Sequence, residues 1–97
     1  MKRCRIIWSP LAEEKYLEII SWLITNWSLK AAEEFEQKVE SLLYRLTLHK
    51  NLCPPSKIYA DLRRCVITPQ TSIVYQIRKG EVIEIVAFFD NRSNHRF

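Results

Sequence analysis

Hydrophobic and polar residues alternate with period two through Thr71–Phe89, TSIVYQIRKGEVIEIVAFF. Ile73, Tyr75 and Ile77 alternate with Ser72, Val74 and Gln76. Ile83, Ile85, Ala87 and Phe89 alternate with Glu84, Val86 and Phe88. The β-branched and aromatic enrichment and the Lys79-Gly80 break predict a β-hairpin. Gly80, the only glycine in the chain, is expected where φ must be positive. Upstream, the period changes. Ser9 is suited to cap a helix and Pro10 to occupy its first position, where no N–H is needed. Leu17, Ile20, Leu23, Ile24 and Trp27 then recur at helical spacing to about Asn26 or Trp27. Ser28 caps a second helix, in which Phe35, Val39, Leu42, Leu43 and Leu46 form the expected buried stripe. With one to three residues between them, the helices must form an antiparallel αα-hairpin.

Residues 2–8, KRCRIIW, read as a first strand, and Leu62–Ile67 as a second, closed by Thr68-Pro69-Gln70. The longest break is Asn51–Asp61, where Pro54-Pro55 forbids a helix. In it, Lys57 and Tyr59 are candidates for a substrate or partner surface. The plain alternative is a solvated loop with Tyr59 lying on the sheet. The fold class is therefore α+β: a two-layer β-αα-β-β-β arrangement, with the helical hairpin on one face of an antiparallel sheet. A sheet covered on one side should be polar on the other. The last strand instead offers Val82, Val86 and Phe88 opposite the Ile83/Ile85/Ala87/Phe89 set. Either the C-terminal tail covers that second face, or another chain binds it.

Composition narrows the class. Ninety-seven residues suit one domain spanning 1–97, and the 47% hydrophobic content suits one modest core. No apolar run approaches the ~20 residues of a membrane span, and the basic N-terminus lacks the apolar stretch of a signal peptide. Cys4, Cys53 and Cys65 are an odd number without CxxC spacing. They are expected to be small buried thiols rather than a disulfide framework, or a metal site with His49 or His95, and they point to a reducing cytoplasm. Neither a metal nor a cofactor is implied. Residues 9–50 hold five basic and seven acidic side chains, a balance of −2 within a net charge of +4; the remainder therefore carries +6. One half of the molecule is electropositive, which suits an anionic partner, although solubility alone would also account for it. The net-acidic hairpin contains no recognition helix for a DNA groove.

The order β-αα-β-β-β, the opening IIWSPLAEEKYLEIISWL, the second helix with AAEEFEQKVESLL, the SIVYQI strand and the terminal VIEIVAFFDNR strand together resemble the RelE/ParE toxins of bacterial type II toxin–antitoxin pairs, which include plasmid stabilisation proteins. The resemblance runs from about Cys4 to Arg92. It implies a small cytoplasmic toxin held inactive by a cognate antitoxin, in a hetero-oligomer with it. RelE-like members cleave messenger RNA on the ribosome; ParE-like members poison DNA gyrase and are not nucleases.

Carried over residue by residue, a RelE-like site would use Arg92 after the last strand, Lys57 in the loop, and His95 in place of a terminal tyrosine that this chain lacks. The plain reading of His95 is a tail histidine with no role. The strand-two arginine of that pattern falls at Ile67, with Arg63 and Arg64 nearby. These departures place the chain nearer the ParE-like branch. There Arg63, Arg64, Arg78, Tyr59 and Phe88 would contact the target or the antitoxin, and no residue would transfer a proton. A degenerate member that only binds its partner is the remaining alternative.

Overall fold

The computed structural model describes residues 3–57, 59 and 61–91. Its elements are β1 (Arg5–Trp8), α1 (Pro10–Asn26), α2 (Leu29–Leu48), β2 (Arg63–Thr68), β3 (Thr71–Arg78) and β4 (Val82–Asp90). The order β-αα-β-β-β is the expected one. Strands β2, β3 and β4 form the antiparallel meander. β1 joins it parallel to β4, with Arg5 opposite Val82 and Trp8 opposite Ile85, so the sheet is mixed and ordered β1-β4-β3-β2. Only β1, reached by way of the whole helical hairpin, departs from the antiparallel expectation. A parallel neighbour requires such a crossover connection.

Ser9 explains how α1 is launched. Its Oγ accepts the Ala12 N–H at 3.0 Å, capping the helix, and donates to the Val86 carbonyl at 2.7 Å, tying the helix start to β4. Pro10 occupies the first turn, as its fixed φ and missing N–H allow. Ala12 is thereby pressed against the sheet and is fully buried. Tyr16, one turn on, joins an aromatic cluster: its ring centroid lies 5.3 Å from Trp8, 5.6 Å from Phe88 and 6.1 Å from Phe35. The inward face of α1 is therefore Ala12, Tyr16, Ile19, Ile20 and Leu23. Of the expected stripe, Ile20 and Leu23 pack against the core, whereas Leu17 (62% exposed), Ile24 (47%) and Trp27 (73%) lie outside it. Helical spacing alone admitted both stripes, and the Ser9 anchor chose between them.

In α2, Ser28 caps by accepting the Ala31 N–H, and Ala32, Phe35, Val39, Leu42 and Leu46 are buried at the i, i+3, i+4, i+7 spacing of one face. Leu43 is half-buried against the same core.

A β-bulge sets the faces of the sheet. Val74 pairs with Ala87 but Tyr75 pairs with Ile85, which leaves Val86 as the extra residue. Beyond it the side-chain parity of β4 reverses. Ile83, Ile85 and Phe88 all join the helix-facing core with Ile73 and Tyr75. Ala87 moves to the second face, and Phe88 leaves it.

The second face is not an open apolar surface. Ser72 and Val74 are inaccessible, and Ala87 is 2% exposed. At one end Arg64 Nε donates to Ser72 Oγ (3.1 Å) and Nη2 to Asn91 Oδ1 (2.7 Å). At the other, Gln76 and Arg78 both donate to Glu84 Oε1.

The turn between β3 and β4 holds Gly80 at φ 81°, as expected, followed by Glu81 at φ 59°. Glu81 occupies that left-handed conformation while its carbonyl accepts the Arg5 N–H (2.9 Å) and its carboxylate receives Lys50 Nζ (3.1 Å). Free Cys4, buried, donates to the same carboxylate.

Candidate functional site: a basic loop and an apolar groove

The segment before β2 is bound to that strand by backbone bonds. Arg64 N–H donates to the Pro54 carbonyl, Ser56 N–H donates to Leu62, and Pro55 bridges Arg63. This folding-back brings Cys53 and Cys65 to a Cα–Cα distance of 5.4 Å, and they form a disulfide. In place of the three unpaired thiols expected, only Cys4 is free. An odd count with no motif spacing carries no information about which two residues a loop will juxtapose. Cys53 is also held through its backbone. Its N–H donates to Tyr75 Oη (3.4 Å), and its carbonyl accepts Arg63 Nη1 (2.6 Å). Tyr75, fully buried, donates in turn to the Lys50 carbonyl at 2.8 Å. Burial raises the Tyr75 phenol above its ordinary value, against the lowering effects of the Cys53 bond and the Arg63 charge.

The anticipated site residues divide as follows. Lys57 and Tyr59 are exposed on the loop, Tyr59 by 50%. Arg63 and Arg64 are neighbours in a strand and point to opposite faces, as strand geometry requires. Arg63 reaches the Cys53 carbonyl, and Arg64 reaches Ser72 and Asn91. Arg78 is exposed and paired with Glu84 at 3.2 Å. Phe88 was expected on a binding face; the Val86 bulge turns it inward, where it is 3% exposed and lies 5.5 Å from Trp8. Ile67, at the position of the RelE-like arginine, is the unpaired residue of a second irregularity, between Val66 and Thr68, and packs against the core. Arg92 and His95 lie outside the described residues.

A concavity lies between the helices and the sheet. A groove of about 720 Å³ runs between the helical hairpin and the ends of β3 and β4. Leu11, Trp22 and Trp27 form one wall, Ala31 and Phe35 the floor, and Phe88 and Phe89 the sheet side. Lys15, Glu18, Glu34, Lys38 and Asp90 stand along its rim. Leu11 (46%) and Trp22 (49%) are half-exposed, and with Trp27 they give the groove an apolar side open to solvent. Sequence reasoning passed over Leu11 and Trp22. They stand three turns apart on the side of α1 that also carries Lys15 and Glu18, so no clean apolar stripe marks them.

A mixed four-stranded sheet in the order β1-β4-β3-β2, covered on one face by an αα-hairpin, is the fold of the RelE/ParE toxins. The family model of the ParE toxin of type II toxin–antitoxin systems matches residues 6–95, and the chain belongs to that family. Among solved structures, the chain is similar to the chromosomal ParDE toxin–antitoxin system of P. aeruginosa, with a TM-score of 0.74 at 14% identity over 91% of this chain and 96% of that one. It is also similar to a YoeB/ParE toxin from Agrobacterium tumefaciens, with a TM-score of 0.68 at 16% identity over 90% and 98%. A third similarity is to a heterotetrameric YoeB–YefM toxin–antitoxin complex from Staphylococcus aureus, with a TM-score of 0.61 at 18% identity over 94% and 99%. At these identities the likeness is one of fold. No curated protein matches the sequence.

Proposed function

We propose that this toxin is held by a cognate antitoxin seated in the groove between the helical hairpin and the sheet, and that once free it inhibits a topoisomerase, DNA gyrase, by binding rather than by cutting RNA. The antitoxin half rests on the groove. Trp22, Leu11 and Trp27 offer an apolar wall with a mixed-charge rim, the setting in which an amphipathic segment buries its apolar side. Trp22→Glu is expected to weaken antitoxin binding at least about tenfold, since it puts a charge into a desolvated contact. The substitution leaves the toxin folded, because Trp22 is half-exposed in the free chain. Unchanged affinity would move the antitoxin elsewhere.

The target half is carried by the arginines of β2. Cleavage of an RNA backbone needs cations converging on one phosphorane, together with a base and an acid. Arg63 and Arg64 diverge to opposite faces and already hold Cys53, Ser72 and Asn91. Ile67 supplies no charge at the position where a RelE-like site has one. This disposition supports binding through the surface charge of Lys57 and Arg78, with exposed Tyr59 beside Lys57 on the loop.

The test is a gyrase supercoiling assay run beside cell-free translation with mapping of message ends. Loss of supercoiling with intact message is expected. Codon-phased cuts on ribosome-bound message would overturn the reading in favour of an endoribonuclease that uses Arg92, Lys57 and His95. Inactivity in both assays, with antitoxin binding retained, would mark a domain that has lost its poison.

A further inference from the structure

The exposed side of α1 carries a stripe whose chemistry is the same read from either end. Leu11, Lys15, Glu18 and Trp22 stand at i, i+4, i+7 and i+11, the spacing of a coiled-coil seam. On an α-helix these positions share one narrow arc over about 16 Å of axis. All four line the α1 side of the groove. Leu11 and Trp22 are 46% and 49% exposed, and the side chains of Lys15 and Glu18 are 45% and 57% exposed, so the stripe meets solvent along its length. Its order is apolar, cation, anion, apolar. Lys15 and Glu18 are paired within the helix at 3.3 Å, but an ion pair this exposed contributes little to a single chain.

We propose that this stripe is a contact between two copies of the chain. The two α1 helices pack antiparallel about a two-fold axis that crosses each helix between Tyr16 and Leu17. Leu11 of each copy then meets Trp22 of the other, and Lys15 of each meets Glu18 of the other. An isologous contact needs this self-complementarity, because residue i facing j requires j to face i. The four central charges alternate in sign around the axis, so each ammonium has its own carboxylate and that of the second copy as neighbours. A parallel pairing in the same register would set Lys15 against Lys15 and Glu18 against Glu18, which like-charge repulsion disfavours. The ends supply the apolar burial, and Trp27, 73% exposed just past the end of α1, adds to it. The contact lies within residues 9–50, whose charge balance is −2, and draws none of its residues from the remainder, which carries +6. One helix face is a small interface, so the dimer is weak, about micromolar to tens of micromolar. Leu11 and Trp22 serve the antitoxin or the second copy in turn, not both at once. The inference concerns the free toxin and does not rest on where the antitoxin sits.

The experiment is sedimentation equilibrium of the full chain, without antitoxin, over concentrations of about 1–100 µM, where the mass should pass from monomer to dimer. Lys15→Glu and Glu18→Lys should each weaken self-association at least about tenfold, because each sets like charges across the axis. The Lys15→Glu/Glu18→Lys double variant should return to within about threefold of the natural chain, since the reversed pair is again self-complementary. An equimolar mixture of the two single variants should form a mixed dimer of similar strength, since one copy then presents two carboxylates to two ammoniums of the other. Both side chains are about half-exposed, so the reversals leave the chain folded, and far-UV circular dichroism verifies it. Monomer at every concentration overturns the proposal and leaves the stripe to another partner. A dimer indifferent to the single reversals overturns it too, since its contact lies elsewhere. So does failure of either the double variant or the mixture to recover, since Lys15 and Glu18 then do not face each other across the axis.

Discussion

Ser9 makes two bonds with one hydroxyl, as acceptor and as donor, and removing them should cost more than removing a helix cap. Its oxygen accepts from Ala12 N–H at 3.0 Å while its hydrogen goes to the Val86 carbonyl at 2.7 Å. Loss of an N-cap costs about 1 kcal/mol. Loss of the second bond costs about another 1 kcal/mol and leaves a carbonyl at a β-bulge without this donor. Ser9→Ala should therefore destabilise by about 2 kcal/mol, which for a chain of this size lowers the Tm by about 8–15 °C.

The discriminating variant is Ser9→Asp. Aspartate is as good a cap as serine, but when ionised it has no hydrogen to donate, and it sets a carboxylate against the Val86 carbonyl. Ser9→Asp should recover none of the loss beyond the cap, whereas Ser9→Thr should lie close to the natural protein. Urea unfolding followed by tryptophan fluorescence would measure all three, with unchanged m-values marking a pure change in stability. A Ser9→Asp protein as stable as the natural one would refute the double role and leave Ser9 an ordinary cap.

Three further outcomes follow from the same structure. Tyr75→Phe should destabilise by about 2–3 kcal/mol in chemical denaturation, because it strips a donor from the Lys50 carbonyl and an acceptor from the Cys53 N–H inside the core; a cost under 0.5 kcal/mol would mean neither bond contributes. Alkaline pH should destabilise the protein: burial raises Cys4, with Glu81 adding to it, and burial raises Tyr16 and Tyr75, so the folded state holds these protons more tightly than the unfolded chain. That contribution is complete below about pH 8.5 and is lost as pH rises through and beyond about 10; a Tm flat from pH 8 to 11 would contradict it, and Tyr16→Phe should shallow the slope. Gly80→Ala meets no atom within 4 Å of the added Cβ, so its cost is backbone strain at φ 81°, about 1 kcal/mol, with a milder loss for Gly80→Asn; equal stability of Gly80→Ala would show that the turn relaxes to negative φ.

How much of the molecule was readable from its residues depended on the range of the interaction that decided each feature. Ser9-Pro10, Ser28 and Gly80 act within a turn of themselves, and the element each marks is where it was expected. The stripe of α2 was legible because Phe35, Val39, Leu42 and Leu46 leave one choice of face. α1 offers apolar residues nearly all round, so its inward face was set by a bond from Ser9 to a carbonyl 77 residues away. The groove was hidden for the same reason, since Leu11 and Trp22 become a wall only after that rotation is fixed. The disulfide likewise required the loop to fold back on β2, an outcome that cysteine spacing does not encode.

The bulge at Val86 is the most consequential of these features, because one unpaired residue reassigns a whole strand. Strict alternation from Ile83 puts Phe89 among the buried side chains and Phe88 on the opposite face. With the extra residue, Phe88 enters the aromatic cluster with Trp8 and Tyr16, and Ala87, the smallest side chain of the strand, takes the crowded place opposite Val74. The same residue exposes the carbonyl that Ser9 captures, so the bulge that buries Phe88 also fixes the helix carrying Trp22. The face of β4 and the face of α1 are thus one decision made at one position. That coupling predicts that deleting Val86 would do more than shift a register: it would remove the acceptor that orients α1, and with it the wall of the groove. A Val86 deletion that kept both its cooperative unfolding and its antitoxin affinity would show the two faces to be set independently.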